Sequence, residues 1–352
     1  MAEAETKSYP KKPKAAVVIL NWNGRHWLER FLPEVVGTTP RDLLIVVADN
    51  GSTDDSQEWV LTHQPECYWQ GMPSNEGFAG GYNLSLQGLL KDFPSLELAV
   101  LMNSDVAPNP QWWEPLARRF ADNPRLGAAQ PILMDYQKPT HFEYAGAAGG
   151  LMDCLGYPFA YGRTMDLLEK NQGQYDGPGH RPIFWASGAC LAVRLVAFQE
   201  VGGLDARLFA HMEEIDLCWR LHRADWEVEC VTQSQVRHVG GGTLQALSTQ
   251  KTFLNFRNNL LILVKNLPAP TAFGVIFLRL FLDGLAGIQF VFQGKANHTW
   301  AIVRAHGAFY ARMGSFMLFP SPWPKKWPSQ GVYKGSIVWY RMIRRGTKTP
   351  PL

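Results

Sequence analysis

Three apolar runs mark the first third of the chain, and each ends abruptly in polar, loop-forming residues. Ala15–Leu20 (AAVVIL) opens into Asn21-Trp22-Asn23-Gly24, Leu43–Ala48 (LLIVVA) into Asp49-Asn50-Gly51-Ser52, and Leu96–Met102 into Asn103-Ser104-Asp105. A continuous apolar run, rather than an alternating one, is the pattern of a strand buried on both faces of a parallel sheet. Helix-like stretches over 25–36, 54–62 and 78–91 lie between them, the second opened by Thr53 and Asp54 as a cap. Strand and helix in alternation predict an α/β fold with a doubly wound, mostly parallel sheet. Such sheets bind ligands beyond the carboxyl ends of their strands, so residues 14–130 are read as a nucleotide-binding half.

Residues 131–266 follow a different pattern. Gly- and Tyr-rich loops (145–162, 171–180) lead to Phe184–Arg194, then a helix-like stretch from about 213 to 224 and a strand-like one, Val228–His238. This half is expected to build the acceptor side of a cleft. Residues 267–292 are strongly apolar, but Arg279 and Asp283 interrupt them, and the longest uncharged run, Asn266–Leu278, has 13 residues. A spanning helix needs about 20, so a helix lying in or dipping into a membrane is preferred to a span. The two charges are four apart and are expected to pair on one helix face.

Composition adds direction. Charged residues make up 18% of the 352 and hydrophobic ones 46%, which excludes a disordered or acidic chain and leaves ample material for a core. Aromatics at 12%, with 13 Trp, suit rings that meet sugars or a membrane interface. The net charge of +3 conceals an asymmetry: Asp283 is the last acidic residue, so 284–352 carries +10 and 1–283 carries −7. Anionic lipid headgroups of a membrane surface, or nucleic acid, are the partners such a basic, aromatic tail suggests. Five Cys without CxxC spacing read as reduced thiols, and residues 1–13 read as a disordered lead-in lacking the apolar core of a secretory signal. The expected setting is the cytoplasmic face of a membrane.

Neither GxxxxGK[ST] nor a GxGxxG after the first strand is present, which argues against ATP hydrolysis and NAD chemistry. The strand exits are acidic instead. Asp49 is placed to accept from a pyrimidine N–H or a ribose hydroxyl, although turn and cap chemistry would also put Asp there. Asp105 is placed to hold Mg²⁺ or Mn²⁺ against substrate phosphates, or again simply to make a turn.

The segments VVILNWNG, VADNGSTD, SNEGFAGGYN, LMNSD, SGACLAVR, HMEEIDLCWR and RHVGGGT occur in this order. Together they resemble the family 2 glycosyltransferases, and more narrowly the bacterial rhamnosyltransferase-like branch that builds surface polysaccharides. The resemblance covers about 14–266. It implies a GT-A fold, a nucleoside-diphosphate sugar donor (dTDP- or UDP-linked, with rhamnose the first guess), a lipid-linked or polysaccharide acceptor, and inversion at the transferred sugar. Leu20, Asn21 and Trp22 match the first nucleoside-binding stretch, Asp49 the base-contacting acid, and Asn75, Gly77 and Asn83 the stretch near ribose and phosphates. Asn103-Ser104-Asp105 stands where the family has DxD, which leaves Asp105 as its surviving carboxylate beside Ser104. His238 matches a metal-binding His before a Gly-rich loop, although a structural His is the alternative. Glu213-Glu214 matches an acidic pair whose second member is the general base, with Asp216 as fallback; helix-dipole stabilisation explains the same acids. Arg257 falls in a stretch near the diphosphate. Ser187 and Gly188 match a stretch lining the acceptor site, where Trp185 is a candidate for stacking on a sugar, with a structural Trp the equal alternative.

The catalytic reading therefore assigns 14–266 to a GT-A domain and 267–352 to a helical, membrane-associating extension. It needs a divalent cation, Mn²⁺ or Mg²⁺, and no nucleic acid. A nucleotidyltransferase is disfavoured, since Asn21-Trp22-Asn23-Gly24 is not the Gly-rich, Arg/Lys-bearing loop it requires. A catalytically inactive partner subunit of a polysaccharide assembly complex is the remaining alternative.

Overall fold

A computed structural model describes residues 9–164, 167–240, 248–319, 321–344 and 349–350. The end of the Gly-rich motif, 241–243, together with Arg345 and Lys348 of the basic tail, lies outside the described residues.

The first apolar run forms β1 (Ala15–Asn21), followed by α1 (Arg25–Thr38), β2 (Leu44–Asp49), α2 (Ser56–His63), β3 (Tyr68–Gly71), α3 (Gly77–Asp92) and β4 (Leu98–Asn103). β1 pairs in parallel with β2 on one side and β4 on the other, and β2 with β3. Successive residues of β1 and β2 feed opposite cores. Ala16, Val18, Leu44 and Val46 pack with Tyr82 and Leu86 of α3, while Val17, Ile19, Ile45 and Val47 pack with Leu28 and Leu32 of α1. Burial on both faces is why these strands read as continuous apolar runs.

The chain continues through β5 (Val106–Pro108), α4 (Trp113–Asp122), β6 (Leu126–Asp135), five short strands β7 to β11 (Gly150–Asp153, Pro158–Ala160, Arg163–Thr164, Leu167–Leu168 and Arg181–Pro182), of which β7 to β10 form a sheet of their own, then β12 (Cys190–Arg194), α5 (Leu195–Glu200), α6 (Glu213–Arg223) and β13 (Glu227–His238), which completes the main sheet. Its order is β11-β13-β6-β12-β4-β1-β2-β3, with β5 on β13. β12 runs antiparallel between β4 and β6, so the sheet is mixed but mostly parallel. Of the stretch 184–194, the regular strand is confined to Cys190–Arg194; Phe184 and Trp185 instead dock on Gly150 through backbone hydrogen bonds.

Three helices follow, α7 (Thr249–Asn266), α8 (Ala269–Phe292) and α9 (Ala296–Met317), then β14 (Val332–Tyr333) and α10 (Ile337–Arg344). Arg279 and Asp283 do pair, at 3.6 Å, and both are buried. The Arg279 guanidinium donates to the carbonyls of Leu155 and Gly156 and lies 3.7 Å from the Tyr157 ring centroid. The two charges therefore fasten α8 to the body. The opposite stripe, with Phe273, Phe277, Phe281, Leu285 and Phe292, is exposed.

The tail is not a free arm. β14 joins a second sheet beside β7, the Trp327 ring stacks on Trp219 with centroids 4.9 Å apart, and Lys325 donates to the carbonyls of Val264 and Met317. Trp323, Trp327 and Tyr333 of this aromatic tail pack against buried core residues. Trp339 remains exposed.

Candidate active site

The sheet order reverses between β1 and β4, which makes their carboxyl ends the crevice of an open α/β sheet. Register sets Asn21 beside Asp49 and Leu20 beside Asn103. Asp49 accepts from Asn21 Nδ2 at 2.9 Å and from the Ser52 backbone N–H at 3.0 Å, so it holds the turn while standing at the strand exit. Asn50 links this turn to the next: its Nδ2 donates to Asn75 Oδ1 (3.0 Å) and the Gly77 carbonyl (3.1 Å), and its Oδ1 accepts from Glu76 N–H. Gly51, at φ 73°, leaves no room for a Cβ against the Ser74 backbone. Leu20 packs on Gly81, and the Trp22 ring is 47% exposed at the mouth of β1. Asn83 is engaged elsewhere, exchanging both amide hydrogen bonds with the backbone of Leu204.

Ser104 and Asp105 follow β4, and β5 then pairs antiparallel with the end of β13, His238 opposite Val106. That pairing brings a residue 133 positions away in sequence against Asp105. His238 Nε2 lies 3.2 Å from Asp105 Oδ1, and its Nδ1 lies 3.3 Å from Glu143 Oε1. All three are buried. Burial favours the neutral imidazole, but Glu143 and Asp105 overcome it and push the His238 pKa up to about 10.

Among the described residues no group of three or more His, Cys, Asp or Glu is arranged to hold a metal ion. Asp105 and His238 would be the pair to hold a cation, once the imidazole gives up the proton that the two carboxylates now favour. One hard oxygen and one imidazole nitrogen face each other where the surrounding charge stabilises a positive ion, and substrate phosphates commonly complete such a set. Glu143 is then the carboxylate behind the imidazole that fixes its orientation.

The acidic pair opens α6. Glu214 is partly buried, and burial pushes its pKa up to about 7 against the pull of neighbouring backbone N–H groups. Glu213 is more deeply buried, and burial together with the Glu214 charge raises it well above the ordinary range. A Cβ on Gly188 would lie 3.9 Å from Glu214 Cβ and 3.3 Å from the Phe78 ring, which places Gly188 between the base candidate and α3. Ser187 is buried, its backbone N–H donated to Gln130.

Three sequence candidates have their polar groups engaged inside the protein. Asp216 is fully buried, its carboxylate accepting from Arg220 Nε (2.8 Å), Lys265 Nζ (2.7 Å) and Asn266 Nδ2 (2.9 Å), so it orders the helix and has no face for a substrate proton. Trp185 lies over Gly150 and donates its indole N–H to the Leu151 carbonyl at 2.9 Å; it is a core residue without a free face for a sugar. Arg257 is buried, donating to Asn258 Oδ1 and the Leu208 carbonyl. Burial, with Arg312 nearby, lowers its pKa to about 10.

The segment entering α6 is unusual. Phe209, His211 and Met212 have φ of 68°, 68° and 75° without a glycine among them, a conformation costing on the order of 1–3 kcal/mol per residue. Such strain concentrates where a side chain has to be aimed.

A doubly wound sheet with a charged crevice at its switch point and an acidic pair opposite is the architecture of a GT-A glycosyltransferase. The chain is 14% identical to the Pyrobaculum calidifontis mannosyltransferase PcManGT, solved with GDP-Man and Mn2+, with a TM-score of 0.50 and coverage of 86% of this chain and 88% of that one. At that identity the likeness speaks for the fold alone. Residues 16–188 match Glycosyl transferase family 2. The N-acetylglucosaminyl-diphospho-decaprenol L-rhamnosyltransferase of Mycobacterium tuberculosis is 31% identical over 235 residues, 63% of this chain and 75% of the relative. The low-salt glycan biosynthesis hexosyltransferase Agl10 of Haloferax volcanii is 20% identical, over 70% of this chain and 74% of that protein. The chain belongs to glycosyltransferase family 2, in its rhamnosyltransferase-like branch, and is a transferase that draws on a nucleotide-sugar donor.

Proposed function

We propose that the protein transfers a hexosyl unit, rhamnose in the first instance, from a dTDP- or UDP-linked donor to a lipid-linked acceptor, with inversion. The observation that carries this reading is the pairing of Asp105 with His238 at the sheet switch point, with Glu214 at the start of α6, beside Gly188 and tuned toward neutral pH. The relative's diphospho-decaprenol acceptor supports a lipid-linked substrate, and the exposed aromatic stripe of α8 supports work at a membrane surface; the cytoplasmic face is part of the proposal.

In this scheme Asn21, Trp22 and Asp49 receive the nucleoside, with Asn75 and Gly77 beside it. Asp105 and His238 would hold Mn²⁺ or Mg²⁺, which neutralises charge building on the departing diphosphate. Glu214 removes the proton from the acceptor hydroxyl as that oxygen forms its bond to the anomeric carbon, and the bond from that carbon to the diphosphate oxygen breaks. One displacement suffices, and no protein nucleophile is needed.

The test is a sugar-nucleotide panel incubated with a polyprenyl-diphosphate-linked N-acetylglucosamine acceptor, with and without EDTA, reading released nucleoside diphosphate. Release from one donor that is lost with EDTA, with Asp105→Ala and with Glu214→Gln supports the scheme. Release that survives chelation or Glu214→Gln refutes the corresponding role.

A further inference from the structure

The segment Leu208–Met212 ends two residues before Glu214, and its left-handed backbone at Phe209, His211 and Met212 is not an intrinsic preference of those side chains. One buried amide gathers its carbonyls. Asn258 Nδ2 donates to Leu208 O at 3.0 Å, Ala210 O at 2.9 Å and His211 O at 2.8 Å. The sense of that amide is fixed from behind, because Arg257 Nε donates to Asn258 Oδ1 at 2.8 Å and so turns the NH2 toward the segment. Arg257 Nη2 adds a second donor to Leu208 O at 3.0 Å. On the other side, the Phe78 backbone N–H donates to Phe209 O at 2.9 Å, and Gly77 admits the Phe209 ring and carbonyl where a Cβ would sit 2.7–2.8 Å from them.

We propose that Arg257 and Asn258 act as a positioning pair: they clamp the strained 208–212 segment, set Glu214 at the acceptor hydroxyl, and lock that placement to the donor-side end of α3. This rests on Glu214 being the base. It also gives Arg257 a different task from holding the donor diphosphate, and the two tasks separate in kinetics. A diphosphate ligand contributes to donor binding; a clamp contributes to the alignment of the base, and a misplacement of about 1 Å can cost about 100-fold in rate.

The experiment uses the full chain, with whichever donor of the panel turns over. Asn258→Asp preserves shape and the Arg257 contact but removes the N–H donors and sets a carboxylate against three carbonyls. Arg257→Gln releases the amide from its fixed sense. Both are expected to lower kcat about 100-fold with donor KM within about threefold, and to move the acid limb of the rate profile to lower pH as the base gains water. Amide hydrogen exchange across 209–216, which needs no substrate, is expected to accelerate while the melting temperature of Arg257→Gln stays near wild type. A raised donor KM with unchanged kcat in Arg257→Gln would return that residue to the diphosphate and overturn the clamp. Unchanged kcat and exchange in both variants would overturn it as well. Glu214→Gln run beside them keeps the two readings apart: if it retains wild-type turnover, the base assignment fails, and the exchange data alone decide whether the pair holds the segment. Should Asn258→Asp fail to fold, Arg257→Gln carries the test.

Discussion

Lys265 Nζ lies 2.7 Å from Asp216 Oδ2, and neither side chain is exposed to solvent. The same ammonium reaches Asp205 Oδ2 at 2.7 Å, while Arg220 Nε meets the same Asp216 oxygen at 2.8 Å. Removing one member of a buried ion cluster leaves an uncompensated charge, at a cost of roughly 3–5 kcal/mol. Asp216→Asn is therefore expected to lower unfolding free energy by that order in a denaturant titration. The folded fraction should keep measurable turnover, in contrast to Glu214→Gln. Burial favours the neutral acid, but Arg220 and Lys265 hold Asp216 below its usual range. Its stabilisation is thus present above the ordinary carboxylate range and lost as pH falls through it.

The rate profile should carry a limb near neutrality. As the proposed base Glu214 would work ionised, and burial pushes its pKa up to about 7. Rate is expected to rise with pH up to about 7 and level above it, with a tenfold change per pH unit on the acid side. A limb near 4.5, the ordinary carboxylate value, would show that burial does not raise the base in the working enzyme.

Glu143 should matter through His238. Carboxylates behind a metal-ligating imidazole typically contribute 10–100-fold in metal affinity. Mn²⁺ titration followed by electron paramagnetic resonance is expected to show Glu143→Gln weakened by that factor, with affinity in the wild type increasing with pH as the metal displaces the His238 proton. Equal affinity in variant and wild type would leave Glu143 a purely structural residue.

The α8 stripe should bind bilayers. Phe277 and Phe281 are 75% and 67% exposed on the face opposite Arg279 and Asp283. A Phe277→Glu, Phe281→Glu double variant is expected to lose co-sedimentation with vesicles containing anionic lipid while retaining its circular dichroism spectrum. Binding that is unaffected by the substitutions but abolished by salt would place the contact on the basic residues instead.

Much of the crevice was legible because its signals are local. A strand buried on both faces has to be apolar along its length, and the residue that ends it has to be polar, so Asn21, Asp49 and Asp105 announce themselves. The Arg279–Asp283 pair follows from helical spacing alone. Glu143 carries no such signal: it follows β6 in an irregular stretch, and it becomes a partner of His238 only once β13 lies between β6 and β5. Trp185 misled because an indole suits a sugar face and a core equally well; Gly150 under the ring decides for the core. In the tail, ten cations without an acid read as a membrane arm, whereas Lys325 and Trp327 are used to bind it to α6, α7 and α9.

The sequence by itself thus determined the doubly wound sheet, the polar strand exits and the family, since these depend on periodicity and on motifs contiguous in the chain. Tertiary structure alone decided which acid is free and which is tied. Asp216 and Glu214 are two residues apart on one helix, yet a difference of about 200° around its axis sends one into an ion cluster with Lys265 and leaves the other beside Gly188, its Oε2 buried without a hydrogen-bond partner among the described residues. It also decided that Arg257 and Asn258 face the segment entering that helix, because only packing brings α7 against it.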